Sequence, residues 1–312
     1  MEFKRYSSIE NSDRTDWIEQ FRKNCDVDIF NIPYIITEKI DGANIQFMIS
    51  SDKEEEIVVC KRNSPLKKGE DFYDVWSVIE KEPYSIVLRS FKDWAIKENK
   101  QVRLFGELHG PLINKRINYG DNQQIKFFDI YVDDVLLSQK DFCYLFFDVG
   151  LTHVRFVDLF LSPKDFNVSP NLASALNFDL DFLENIEGVI IQPYNQVIRA
   201  RSGERFILKK KAAAYCEKIK KPLRGPSSRD FIDDLNDQFK SYITENRVLS
   251  VISKNGEMKK RDELGKYIAF VLNDAIEEFE KDHEEVAKIE KKELKRVYNV
   301  GKMIANLLLS KL

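Results

Sequence analysis

Histidine is nearly missing from this chain: there are three in 312 residues, His109, His153 and His283. That excludes a His-rich metal site and argues against an imidazole-based triad, although one His is enough for acid–base work. The four cysteines, Cys25, Cys60, Cys143 and Cys216, lack metal-ligand spacing and fit a reducing compartment. No stretch approaches the ~18 apolar residues that a membrane span takes. The opening MEFKRYSSIENSDR has no apolar core of signal-peptide length, so a soluble, cytoplasmic protein is expected. Excess positive charge is also missing: 49 Lys and Arg stand against 52 Asp and Glu. Any nucleic-acid surface must therefore be a local patch.

What is present is a core-forming composition. Hydrophobic residues make up 43%, with 22 Phe and 12 Tyr, which excludes intrinsic disorder. The length suggests two domains, or one large and one small. The runs 34–40, 44–50 and 56–62 are short, β-branched or apolar, and separated by polar turns, as strands are. A helix is expected over about 73–97, then further strands over 102–110, 125–134, 154–161, 187–193 and 205–210. The texture changes near Pro222, Gly225, Pro226, Ser227 and Ser228, a turn-forming linker whose serines can cap a following helix. Beyond it proline is absent, and Leu264, Ile268, Val271, Leu272, Ile276 and Phe279 recur at helical spacing. The expected organisation is a strand-rich domain over 1–225 and an all-helical domain over 226–312. One local basic patch exists: 209–224 reads KKKAAAYCEKIKKPLR, with Glu217 its only acid.

The most informative segment is 38–44, EKIDGAN. It presents Lys39 between two strands, with Asp41 and Gly42 forming a tight turn. Gly42 permits close backbone approach or a positive φ. An amine so placed can attack electrophilic phosphorus once it sheds its proton, which burial and cationic neighbours favour. Lys61-Arg62 and the run 209–211 supply cations elsewhere in the chain. Alone, K-x-D-G is more often a β-turn with a solvated lysine than a nucleophile. Downstream, KRN (61–63), FGELHG (105–110), KFFDIY (126–131), EGVII (187–191) and ILKKK (207–211) follow in order, each a strand with a chemically useful residue at one end.

That ordered set resembles the covalent nucleotidyltransferase superfamily of polynucleotide ligases and RNA capping enzymes. Within it, FKRYSSIEN, TEKIDGAN, CKRN, FGELHGP followed by INY, FFDI, EGVII, LKKK and the later NRVLSVISKNGE resemble the RNA ligase 2 family of T-even phages, relatives of trypanosome RNA-editing ligases. The resemblance implies an α+β fold: an antiparallel-sheet, ATP-grasp-like nucleotidyltransferase domain followed by a small all-helical one. It implies an AMP-forming, ATP-dependent RNA ligase that uses Mg²⁺ or Mn²⁺ and acts as a monomer on nicked double-stranded RNA or an RNA–DNA hybrid. Lys39 would attack the ATP α-phosphate and hold AMP. Glu38, Asn44, Arg62, Glu107, Phe128, Lys209 and Lys211 would bind the nucleotide, with Glu107 on the ribose hydroxyls and Phe128 stacked on adenine. Glu187 would serve the metal, and Arg247, Asp274 and Glu278 the RNA.

Two departures stand out. Gln192 occupies a position where the family often has lysine, which removes a charge near the phosphates unless Lys210 or another base substitutes. Asn114-Lys115 stands where a Gln-Lys pair is usual. A capping guanylyltransferase or DNA ligase would share the lysine chemistry but usually carries a five-stranded OB-fold after the last box, where this chain reads as helices. A non-enzymatic nucleic-acid binder would use the basic run and the aromatics, but has no need of the lysine turn.

Overall fold

The computed structural model describes residues 1–114, 116–151, 167–180, 183, 185–216 and 231–311. The strand expected over 154–161, Lys115, and the turn-forming linker at 222–228 lie outside the described residues. The chain divides into two compact units, Met1–Ala214 and Tyr215–Leu312.

The described residues of the first unit form two sheets. One has the order β1 (Glu10–Asn11), β11 (Leu208–Lys211), β10 (Gly188–Pro193), β2 (Tyr34–Glu38) and β9 (Asn167–Ser169). The other runs β5 (Ser64–Pro65), β4 (Val58–Lys61), β3 (Ala43–Ile49), β6 (Val102–His109), β7 (Gln124–Val132) and β8 (Val135–Leu136). Every pairing is antiparallel except the short β1–β11 contact.

Each sheet has one face sealed by helices. Ala43, Ile45, Phe47 and Ile49 alternate along β3 and pack with Val87, Leu88, Phe91 and Ala95 of α3 (Tyr84–Glu98). Asn44, Gln46 and Met48, the other half of the same strand, therefore point away from that core. In the first sheet, Tyr34, Ile36, Val189, Ile191 and Leu208 pack with Trp17, Ile18 and Phe21 of α1 (Thr15–Lys23). That leaves Thr37, Ile190, Gln192, Lys209 and Lys211 on the opposite face.

The helix expected over 73–97 is two helices, α2 (Val75–Glu80) and α3. Pro83 supplies no amide donor and its ring blocks a continuous helix, so it stands at the start of α3 instead. The strand expected from 205 begins only at Leu208. Three helices carried no sequence expectation: α1, α4 (Gln139–Asp148), whose N-cap Ser138 accepts a hydrogen bond from the Asp141 amide, and α5 (Leu172–Leu176).

The second unit is helical throughout its described residues: α6 (Phe231–Lys240), α7 (Glu245–Asn255), α8 (Leu264–Asp282), α9 (Lys291–Val297) and α10 (Gly301–Leu309), with short 3₁₀ turns between. Tyr267, Val271, Ala275 and Phe279, four residues apart on α8, form its buried stripe, against Leu235, Phe239, Val248, Val251, Ile304 and Leu308. No helix among the described residues is long and apolar enough to cross a membrane.

Candidate active site

Lys39 follows the last residue of β2, and its amide donates to the Gly188 carbonyl at 2.8 Å. Two residues later the chain must turn into β3. Gly42 makes this possible: a Cβ there would lie 2.4 Å from the Leu108 carbonyl oxygen and 2.8 Å from Glu107 Cγ. The glycine serves close approach to β6, one of the two uses its position in the sequence allows.

The Lys39 ammonium donates to Glu187 Oε2 at 2.5 Å, and Lys211 pairs with Glu187 Oε1 at 2.9 Å. Glu187 is 3% exposed. Burial works against its charge, yet Lys39 and Lys211 hold its carboxyl below the usual range. β11 lies beside β10 with Lys211 opposite Gly188 and Lys209 opposite Ile190, so both lysines share the face that Lys39 extends. Gly188 is required by that packing, since a Cβ would lie 2.2 Å from the Lys210 carbonyl oxygen.

In the second sheet, Asn44 stands opposite Glu107, and Glu107 opposite Lys126. Burial pushes the Glu107 carboxyl up to about 8; Glu187 and Asp41 push the same way, and Lys39 and Arg62 oppose them. These couplings link Glu107 and Arg62 to the lysine site. Phe128 is half-buried and sits at a β-bulge, where the register of β6 and β7 shifts between Phe105 and Gly106. The Tyr6 ring packs against it at 5.3 Å, near perpendicular. Glu38 stands opposite Val189, out of phase with the lysines, and its carboxylate accepts from the Tyr119 hydroxyl at 3.3 Å.

The residue expected to weaken phosphate contact, Gln192, is buried and accepts a hydrogen bond from Arg205. Arg205 also forks onto Asp129, at 2.5 and 3.1 Å, while the Tyr6 hydroxyl donates to the same carboxylate at 2.6 Å. The cation beside Gln192 is thus a guanidinium committed to an ion pair that ties β7 to β10. Lys210 does not substitute, because its ammonium donates to the Leu176 and Phe178 carbonyls. This network was missed in the sequence; its one signal was Asp129, an acid inside the apolar strand KFFDIY.

Also missed was the loop after β6. Arg116 forks onto the Asp41 carboxylate, Asn114 donates to it at 2.8 Å, and the Asp41 amide donates to the Tyr119 hydroxyl oxygen at 2.9 Å. His109 packs edge-on against Tyr119 at 4.8 Å. Burial, reinforced by Lys126, lowers its imidazole to about 4, so it is neutral near pH 7.

In the helical unit, Arg247, Asp274 and Glu278 come together, but inward. Arg247 is 1% exposed; it donates to the Tyr242 carbonyl at 2.7 Å, pairs with Asp274 at 2.5 Å and pairs with Glu278. Lys254 pairs with Asp274 from the more open side at 2.6 Å. Arg247 as placed is an internal brace between α7 and α8.

An antiparallel nucleotidyltransferase-like fold with a lysine turn, flanking carboxylates and a lysine-bearing last strand defines a class, and comparison gives the family. A family model described as RNA ligase matches residues 32–211, and one described as T4 RNA ligase 2 C-terminal matches 227–306. The chain belongs to the RNA ligase family, in its RNA ligase 2 branch. Among solved structures it is similar to two variants of Naegleria gruberi RNA ligase with ATP and Mn, at 18% and 19% identity and TM-scores of 0.45 and 0.46. These matches cover 67% and 68% of this chain and 56% and 57% of those chains. The same ligase with PPi matches at 18% identity and a TM-score of 0.44, over 68% of this chain and 57% of that one. The chain therefore spans somewhat over half the length of these relatives.

Proposed function

We propose that this protein is an ATP-dependent RNA ligase that joins a 3′-hydroxyl to a 5′-phosphate through a lysyl-AMP intermediate. Nicks in duplex RNA or an RNA–DNA hybrid are its substrates, and it acts as a cytoplasmic monomer. The observation that carries the reading is the single ion-paired cluster of Lys39, Glu187 and Lys211, electrostatically coupled to Glu107. A solvated turn lysine would have no such surroundings.

The chemistry balances as follows. The Lys39 ammonium first loses its proton to solvent. Its nitrogen lone pair then attacks the α-phosphorus of ATP; the N–P bond forms as the bond to the β-phosphate oxygen breaks, and pyrophosphate leaves. An oxygen of an RNA 5′-phosphate next attacks the same phosphorus, the N–P bond breaks, and Lys39 recovers its proton. Finally the RNA 3′-hydroxyl attacks the activated 5′-phosphorus, a phosphodiester forms, and AMP leaves. Phosphoryl transfer needs charge neutralisation and alignment more than acid–base groups, and Lys209 and Lys211 supply the former. Glu107 is suited to accept hydrogen bonds from ribose hydroxyls when ionised. Phe128 offers a stacking surface that does not discriminate between bases.

Mg²⁺ or Mn²⁺ fits the donor set. No group of three metal-ligating side chains occurs among the described residues, but such ions are commonly held by one or two carboxylates together with substrate phosphates. Glu187 would hold the ion, which supplies charge neutralisation at the phosphates when bound.

The test uses a nicked RNA duplex with ATP and Mg²⁺, beside an all-DNA nick and GTP. Sealing of the RNA nick with ATP is expected. Labelling by GTP in preference to ATP, or sealing of all-DNA nicks regardless of RNA at the 3′ side, would favour a capping enzyme or a DNA ligase instead.

A further inference from the structure

The loop between β6 and β7 carries a side chain that no part of the proposed chemistry uses. Arg116 donates from Nε to Asp41 Oδ2 at 2.9 Å and from Nη2 to Asp41 Oδ1 at 2.6 Å, a two-pronged contact that fixes both the position and the rotation of the carboxylate. Asp41 is 3% exposed and lies two residues after Lys39. Asn114 adds a third donor to the same carboxylate from a left-handed backbone position, φ 38°. Tyr119 receives the Asp41 amide and donates to Glu38, so the same loop holds the chain on both sides of the lysine. Gly42, the next residue, lies close against Leu108 and Glu107 of β6.

The turn bearing Lys39 is therefore held on both sides of the lysine, before it at Glu38 by Tyr119 and after it at Asp41 by Arg116, from a loop some 75 residues away in sequence, and at Gly42 by β6. The alternative partner for Arg116 would be a nucleotide phosphate. Asp41 opposes that: a buried carboxylate left without its cation is costly, whereas the fork satisfies it. Burial already pushes the Asp41 carboxyl above its usual range, and the Arg116 hydrogen bonds work against that rise.

We propose that Arg116 is a positioning residue: through Asp41 it fixes the turn that presents the Lys39 amine, without itself touching the nucleotide. This rests on the ligase reading, in which Lys39 is the nucleophile. Misplacement of a reacting atom by about 1 Å is enough to cost on the order of 100-fold in rate.

The experiment compares the full chain with R116A, R116K, D41N and the double variant R116A/D41N. Single-turnover labelling by ATP and Mg²⁺ gives rate and KM, and amide hydrogen exchange over 39–44 reads the turn itself. R116A is expected to slow labelling about 10- to 100-fold with KM for ATP changed less than about threefold, and to speed exchange in the turn. R116K, which keeps the charge but not the fork, should fall between. In the D41N background, adding R116A should cost little more, because the contact is already broken. The double variant also removes the unpaired buried charge, so poor folding of R116A alone does not decide the matter.

A loss in R116A that appears in KM, or that persists undiminished in the D41N background, would mean a direct phosphate contact and overturn the inference. So would an R116A protein that labels at the same rate as a wild-type chain that takes label. A wild-type chain that takes no label at all would overturn this inference together with the reading beneath it.

Discussion

At the scale of single residues, burial works against the charge of the buried carboxyls in the site, and the outcome depends on the partners: at Glu187 the lysines prevail, and at Glu107 burial does. The Glu107 carboxyl is pushed up to about 8, first by burial, so between its ordinary value near 4.5 and about 8 the folded chain binds a proton that the unfolded chain releases. Stability from this group is fully present below pH 4.5 and is lost as pH rises through 8. E107Q should remove that dependence. Relative to E107Q, the wild-type melting temperature should fall between pH 5 and pH 8.5 in the absence of nucleotide, and parallel curves would contradict the assignment. Phe128 makes a separate prediction. Stacking of this half-buried ring on a base is worth roughly 1–3 kcal/mol, so F128A should raise KM for ATP about 5- to 150-fold, while F128W keeps it near wild type. An unchanged KM in F128A would leave the ring as packing for Tyr6 alone.

At the scale of elements, two glycines let strands and turns approach more closely than any side chain permits. G42A would push a methyl group to within 2.4 Å of the Leu108 carbonyl, and either the end of β6 or the lysine turn must give. Labelling should drop at least about tenfold; a G42A protein that labels normally would show that the turn adjusts freely. Much of this was legible in sequence. The strands announced themselves as short apolar or β-branched runs between polar turns, and because the strand period is two, Lys209 and Lys211 fall on the site face and Lys210 on the other. The buried stripe of α8 was legible through Val271 and Phe279, although Tyr267 and Ala275 complete it where the sequence pointed to the flanking Leu264, Ile268, Leu272 and Ile276. Pro83 could have divided α2 from α3, had its missing donor been weighed against the apolar spacing. What stayed hidden was long-range and polar. The pairing of Arg116 with Asp41 and of Arg205 with Asp129 and Gln192 depends on which loop lies over which strand, and no periodicity encodes that.

At the scale of the whole molecule, the first unit has two cores, one on each sheet, and the second has its own on α6–α10. The Arg247 brace belongs wholly to the second. R247A leaves Asp274 and Glu278 without their buried cation, a loss of roughly 3–5 kcal/mol. It should lower the melting temperature of the helical unit and impair nick joining while sparing the labelling of Lys39. A chain ending at residue 228 should behave alike, with adenylylation kept and sealing lost. Equal loss of both steps in both variants would mean that the helical unit supports the fold of the first rather than engaging RNA.

The central claim is that one amine forms a covalent bond to phosphorus. Peptide mass spectrometry of the purified protein, with and without ATP and Mg²⁺, tests it directly. A single adenylate is expected, mapped to Lys39 and absent from K39A. An adduct on another lysine, or none under conditions that seal RNA, would contradict it.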